Sequence, residues 1–153
     1  MPYDSRQDTL EHIEKVFQAI RVIRMELLDR SVQHDNSKLK EPEKSVIDEY
    51  TPKMKEMVYN SLEYKQCLQE MELMLEHHYS KNRHHVEYFS NGVNGMNLVD
   101  IVELFCDWYA AAQRNKGGDI YKSIEIGRGR FGISDQLINI FKNTVELFKN
   151  ERI

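Results

Sequence analysis

Apolar positions recur along this chain at three- and four-residue steps almost everywhere, the period of a helix that buries one face. The first stripe is Leu10, Ile13, Val16, Ile20, Ile23 and Leu27. Asp8, followed three residues later by Glu11, is a variant capping box, so a helix is predicted from about Asp8 to Arg30. His12 lies on the edge of its stripe and is expected to point inward. Pro42 suits the start of a second helix, since the N–H it lacks is an orphan there in any case, and Pro52 predicts a break or a restart. Ser61 is expected to cap one long helix, with Leu62, Cys67 (or Leu68), Met71, Met74 and Leu75 facing the core, that ends near His77, His78 and Tyr79.

Asn91-Gly92 and Asn94-Gly95 mark a loop, and Asn97 is the expected cap of the next helix, which runs to about Arg114. Its main stripe is Leu98, Ile101, Phe105, Trp108 and Ala112, and Gly117-Gly118 closes it. A polar stretch with Gly127, Gly129 and Gly132 then precedes a last amphipathic helix from about Ser134 to Lys149. Its inward residues are expected to be Leu137, Ile140 (or Phe141), Val145 and Phe148. No alternating strand pattern extends beyond a few residues. The prediction is one all-α domain over residues 1–153, with about five to seven helices.

Composition narrows the class without naming a task. A 41% apolar and 30% charged chain is that of an ordinary folded protein, not a disordered one. A net charge of −4 gives no reason to expect a nucleic-acid backbone as the main partner. No apolar run is long enough to span a membrane, and the polar start lacks the apolar segment of a secretory signal, so a cytoplasmic chain is expected. Cys67 and Cys106 match no metal or redox spacing and are expected as reduced thiols on packed helix faces. Met54, Met57, Met71 and Met74 read as core filler.

The chemistry sits elsewhere. All six histidines fall between positions 12 and 85, several beside carboxylates. Imidazole nitrogen with carboxylate oxygen is the donor mixture for manganese, iron, cobalt, nickel or zinc, with magnesium also admissible. Adjacent residues on a helix diverge by roughly 100°, so His34 and Asp35 can both reach one metal where the backbone turns, or bridge a pair of metals from one side. On one later helix Asp100, Glu103 and Asp107 stand three and four residues apart, on one face. The alternative for each group is ordinary: a polar helix end, a solvated acidic face, or C-terminal charge complementing the dipole at His77-His78.

His12, the apolar helix after it, and then His34, Asp35, Ser37 and Lys38 together resemble the opening half of the HD-domain metal hydrolases. There a first-helix His, an adjacent His-Asp pair and a later Asp converge on metal. The resemblance covers roughly residues 8 to 115, with Ser37 where the family often has Gly. It implies His12, His34, Asp35 and Asp107 as ligands of one ion, with Asp100 as the second choice for the closing Asp. His77-His78 and His84-His85 are similar to the HD-GYP branch, although Val86-Glu87-Tyr88-Phe89 replaces its Gly-Tyr-Pro element. That likeness implies His78, His84, His85 and Asp100 as candidates for a second ion. The whole pattern also resembles a family of small uncharacterised bacterial and phage proteins.

What the resemblance implies is a phosphohydrolase acting on a nucleotide or other small phosphorylated compound. Asp35, Lys38 and Glu87 are its catalytic candidates, Glu87 as proton acceptor, and Lys38, Arg83 and Arg114 its phosphate contacts. The alternatives are a module that binds metal and nucleotide without turnover, and a metal-free helical interaction protein. One ion or two, monomer or homodimer, are equally compatible with the chain.

Overall fold

A computed structural model of the chain describes residues 3–58, 60–114 and 117–151. It is all-helical, with seven α-helices and no strand among the described residues, as the periodicity predicts. No helix is long and apolar enough to cross a membrane, among the same residues. By its internal contacts the chain divides into two compact units, Met1–His34 and Asp35–Ile153.

The first unit is one helix, α1 (Arg6–Gln33). It starts after Ser5, so Asp8 lies in the first turn as an acidic complement to the dipole and is not the cap. Local pairs at four-residue spacing hold it: Gln7 to Glu11 at 3.0 Å, Gln18 to Glu14 at 2.5 Å and Arg30 to Glu26 at 3.2 Å. Each contributes about 0.2–0.5 kcal/mol to the helix, which runs three residues beyond its predicted end. None of its residues is buried, which corrects the inward placement expected for the Leu10–Leu27 stripe and for His12.

The second unit contains α2 (Glu43–Lys55), α3 (Leu62–Glu70), α4 (Glu72–Lys81), α5 (Leu98–Arg114), α6 (Ile120–Phe131) and α7 (Asp135–Glu151). Short 3-10 turns cover Asn36–Leu39, Val86–Tyr88 and Gly92–Gly95. Pro42 is the residue before α2, one position earlier than expected, and Pro52 lies inside that helix within its last turn. The long helix predicted after Ser61 is two, broken at Met71. Ser61 does cap it, its Oγ accepting from the Tyr64 N–H at 3.2 Å. Met71, Met74 and His78 are buried at the spacing of one face, whereas Leu62 is exposed.

Asn97 caps α5 reciprocally: its side chain accepts from the Asp100 N–H and Asp100 accepts from the Asn97 N–H, both at 3.0 Å. The polar stretch before the last helix is α6, and Gly127 sits within it because of what it faces. A Cβ built there would stand 2.1 Å from Trp108 Cη2, so only glycine lets α6 close on α5. Gly132 ends α6 with φ +62, the left-handed geometry favoured at a helix C-terminus.

The core is built by α5, α6, α7 and the Val86 turn, from Val86, Leu104, Phe105, Ile124, Ile133, Ile138, Phe141 and Val145. Phe105 and Phe141 stack with centroids 5.5 Å apart. Of the two alternatives on α7, Phe141 is buried and Ile140 is exposed, while Ile138 is a core residue the stripe did not include. Each fully buried side chain of this size contributes about 1.5–3 kcal/mol, enough for this layer to hold α5 rigidly. Cys67 is buried and Cys106 exposed, both as free thiols, so only the first matches the expected packed face.

Candidate metal centre

Asp35 follows His34, the residue that closes α1, and has φ +57 and ψ 15. This left-handed conformation costs a non-glycine residue free energy, and Asp tolerates it better than most. The backbone therefore turns between His34 and Asp35. Asp35 Oδ1 lies 3.2 Å from His78 Nε2 and 3.4 Å from His84 Nε2. Lys38, one 3-10 turn on, donates from Nζ to Asp35 Oδ2 at 2.5 Å.

The histidines come from the end of α4 and the loop after it. His77 and His78 diverge as neighbours on a helix must, so His78 continues the buried Met71–Met74 face and is 1% exposed, while His77 stays half-buried. His84 is 2% exposed. The three rings of His78, His84 and His85 pack together, with centroids 4.8 Å apart for His78 and His85 and 4.2 Å for His84 and His85. One donor atom each from Asp35, His78, His84 and His85 lies within 4.8 Å of the other three.

The outer edges of two of these rings face carboxylates. His78 Nδ1 lies 2.8 Å from Glu43 Oε2, and His84 Nδ1 lies 3.3 Å from Glu103 Oε1. Glu43 is the first residue of α2 and fully buried, held also by the Ser37 hydroxyl, which donates to Oε2 at 2.8 Å, and by His77 Nδ1 at 2.8 Å. An ionised carboxylate only accepts, so the proton of a neutral His78 sits on Nδ1 and its Nε2 carries the lone pair. That Nε2 is buried, makes no hydrogen bond and looks at an Asp35 oxygen, as the buried Nε2 of His85 also lacks one.

Two electron-pair donors facing each other at 3.2 Å need a positive centre: a second proton on the ring, or a metal ion. The packing of three imidazoles in contact weighs against accumulating protons there. Burial pushes the His85 imidazole down to about 3, with His84 and His78 adding to the effect. A metal ion meets the same need with neutral rings. Ligands bonded at roughly 2.0–2.1 Å subtend about 2.9–3.4 Å across octahedral to tetrahedral angles, and the Asp35 separations fall in that range. The donor set fits a divalent transition metal.

The α5 carboxylates, expected on one face, divide. Glu103 backs His84, and Asp107 brings an oxygen within 4.8 Å of an Asp35 oxygen. Asp100 instead accepts from Arg83 Nε at 3.1 Å and Nη2 at 2.8 Å while capping α5, so the second choice for a metal ligand is tied into an ion pair. The same pair occupies Arg83, expected on phosphate. Glu87 pairs with Arg130 at 2.6 Å and is in none of the donor groups found among the described residues. Arg114 is exposed in the last turn of α5. His12 is exposed on α1 and belongs to no donor group.

Glu43 is the residue that sequence reasoning missed. Its neighbours Glu41 and Lys44 are exposed, and only packing over 35 residues of chain separates it from an ordinary surface glutamate.

These features define an all-helical protein with a buried histidine–carboxylate cluster of metal-ligand character. The chain belongs to a family of unknown function, DUF5662, which it matches over residues 1–147. No curated protein and no solved structure matches it.

Proposed function

We propose that this protein is a metal-dependent phosphohydrolase of HD-like type, acting on a nucleotide or another small phosphorylated compound. The observation that supports it is the opposition of Asp35 Oδ1 to His78 Nε2 and His84 Nε2, with the far edge of each ring backed by a carboxylate. Asp35, His78, His84 and His85 would hold the ion, and Asp107 on α5 brings a further carboxylate oxygen within 4.8 Å of an Asp35 oxygen.

A divalent ion held there supplies Lewis acidity toward a phosphoryl oxygen and lowers the pKa of water. The protein's own groups do the rest. Buried imidazoles exclude bulk solvent from the Asp35 oxygen. Lys38 keeps the Asp35 carboxylate ionised and aimed inward, and its ammonium is the cation of the cluster that a phosphate would meet first. Asp107, with an oxygen within 4.8 Å of an Asp35 oxygen, is placed to accept a proton from attacking water, and Glu87, paired with Arg130, stays the alternative.

The test has two parts. Elemental analysis of protein purified without chelator should find a transition metal in the wild type and little in Asp35→Ala. Wild-type protein should release phosphate from some member of a panel of phosphate esters, and Asp35→Ala should not. Metal without turnover on any ester would favour the binding module, and absence of metal would remove both readings.

A further inference from the structure

We infer that Glu43 is a positioning residue that fixes the tautomer of His78, and so decides whether this ring can ligate an ion at all; the inference rests on the metal reading above. An imidazole has one proton to place and two nitrogens to place it on. If it sits on Nε2, that nitrogen cannot bind a metal and His78 is lost to the cluster. Glu43 settles the choice from the other edge of the ring, by accepting at Oε2 from Nδ1 at 2.8 Å. The carboxylate is fully buried at the start of α2, so water does not compete for its oxygens.

Its form matters as much as its place. Three donors converge on Glu43: the Ser37 hydroxyl and His78 Nδ1 on Oε2, and His77 Nδ1 on Oε1. Two acceptor oxygens are needed, and a carboxylate is the side-chain group that offers both. A glutamine of nearly the same shape offers one oxygen and one NH₂, so one of the two histidines meets a donor where it had an acceptor. Asn82 Nδ2 lies 3.0 Å from His78 Nδ1, and the Ser37 hydroxyl, itself held by Glu43, lies 3.2 Å from it. For His78 the relief available is to move its proton to Nε2, toward Asp35 Oδ1 at 3.2 Å. Where the amide NH₂ faces His78, the exchange of Glu43 for Gln turns a ligand into a hydrogen-bond donor without removing a single histidine.

The tests use the full chain, with Mn²⁺ or Zn²⁺ alone as the probe. Nitrogen-15 NMR of the chelator-treated wild type should show His78 as the Nδ1–H tautomer, and Glu43→Gln should shift it toward Nε2–H. Metal affinity of folded Glu43→Gln should fall roughly 10–100-fold, the usual loss when the hydrogen-bond partner of a metal-bound histidine is removed. Ser61→Ala, which removes a helix cap away from the cluster, should leave the affinity unchanged. An Nε2–H tautomer in the wild type overturns the inference whether or not any variant folds. So does undiminished affinity in folded Glu43→Gln. A wild type with the Nδ1–H tautomer that takes up neither ion would instead overturn the metal reading while leaving the hold of Glu43 on His78 intact.

Discussion

Arg83 and Asp100 form a two-pronged ion pair, with Arg83 Nε and Nη2 each donating to one oxygen of a fully buried carboxylate. The guanidinium also lies over the Phe89 ring, 4.9 Å from its centroid. Since Asp100 additionally accepts from the Asn97 N–H, it joins the start of α5 to the loop that carries His84 and His85. Asp100→Asn keeps the size and removes the charge, leaving a buried amide to face both donors. The expected cost is about 2–3 kcal/mol, in the range of hydrogen bonds to charged groups, measured by urea unfolding. Metal content per folded molecule should stay at the wild-type level. Loss of metal in a variant of unchanged stability would return Asp100 to the ligand set.

Gly127→Ala tests the packing of α6 on α5. The added methyl meets three atoms of the Trp108 ring at 2.1–2.8 Å, and that ring is already stacked on Phe131 and edge-on to Phe141. Overpacking of this kind costs typically 1–3 kcal/mol, outweighing the better helix propensity of Ala, which is worth about 1 kcal/mol. A melting temperature lowered by several degrees is expected. Gly129→Ala, where an added Cβ meets nothing within 4 Å, should be neutral or stabilising. Equal effects at the two positions would show that Trp108 gives way.

Periodicity made the helices legible and left their joints obscure. α5 and α7 were readable because their apolar stripes are long and their caps, Asn97 and Ser134, are of the expected types. α6 was hidden by Gly127 and Gly129, residues that signal a loop unless one knows that Trp108 needs the space. The break at Met71 has no Pro or Gly to announce it. At the candidate centre, Asp35, His78, His84, His85 and Asp107 were legible from residue type, since imidazole beside carboxylate suggests metal before any contact is known. Glu43 and Glu103 were not assigned, because their part depends on which nitrogen of a distant histidine they touch. For Arg83 and Glu87 the residue type suggested phosphate and proton chemistry, and their ion-pair partners Asp100 and Arg130 could not be read from it.

His85 should give the metal-free protein a pH dependence. Its imidazole is held down to about 3 in the folded state, chiefly by burial, against 6.5 for the ordinary group. Between those values the unfolded chain binds the proton and the folded chain does not, so stability rises with pH across that interval. The contribution is intact above 6.5 and is lost as the pH falls toward 3. Urea midpoints taken in chelator at pH 7, 6, 5 and 4 should decline for the wild type and decline less steeply for His85→Gln. Parallel curves for the two proteins would mean that the His85 ring is reached by water.

Bound metal should appear as stability, because four donors from three separate stretches of chain meet only in the folded protein. Asp35 comes from the turn before Asn36–Leu39, His78 from α4, and His84 with His85 from the loop that follows. An ion that binds this arrangement and not the unfolded chain stabilises it by about 2.7 kcal/mol when present at a hundred times its dissociation constant. For a chain of this length that corresponds to a rise of roughly 5–10 °C in melting temperature. Chelator-treated wild type should therefore melt higher on adding Mn²⁺ or Zn²⁺ and fall back with EDTA. Asp35→Asn keeps the shape of the turn but exchanges an anionic ligand for a neutral amide, so the metal-dependent rise should be lost in it. It should persist in Asp100→Asn, whose carboxylate serves Arg83 and the cap of α5. A wild type whose melting is indifferent to both ions and to EDTA would leave Asp35 and its three histidines as a buried polar cluster with no cation to bind.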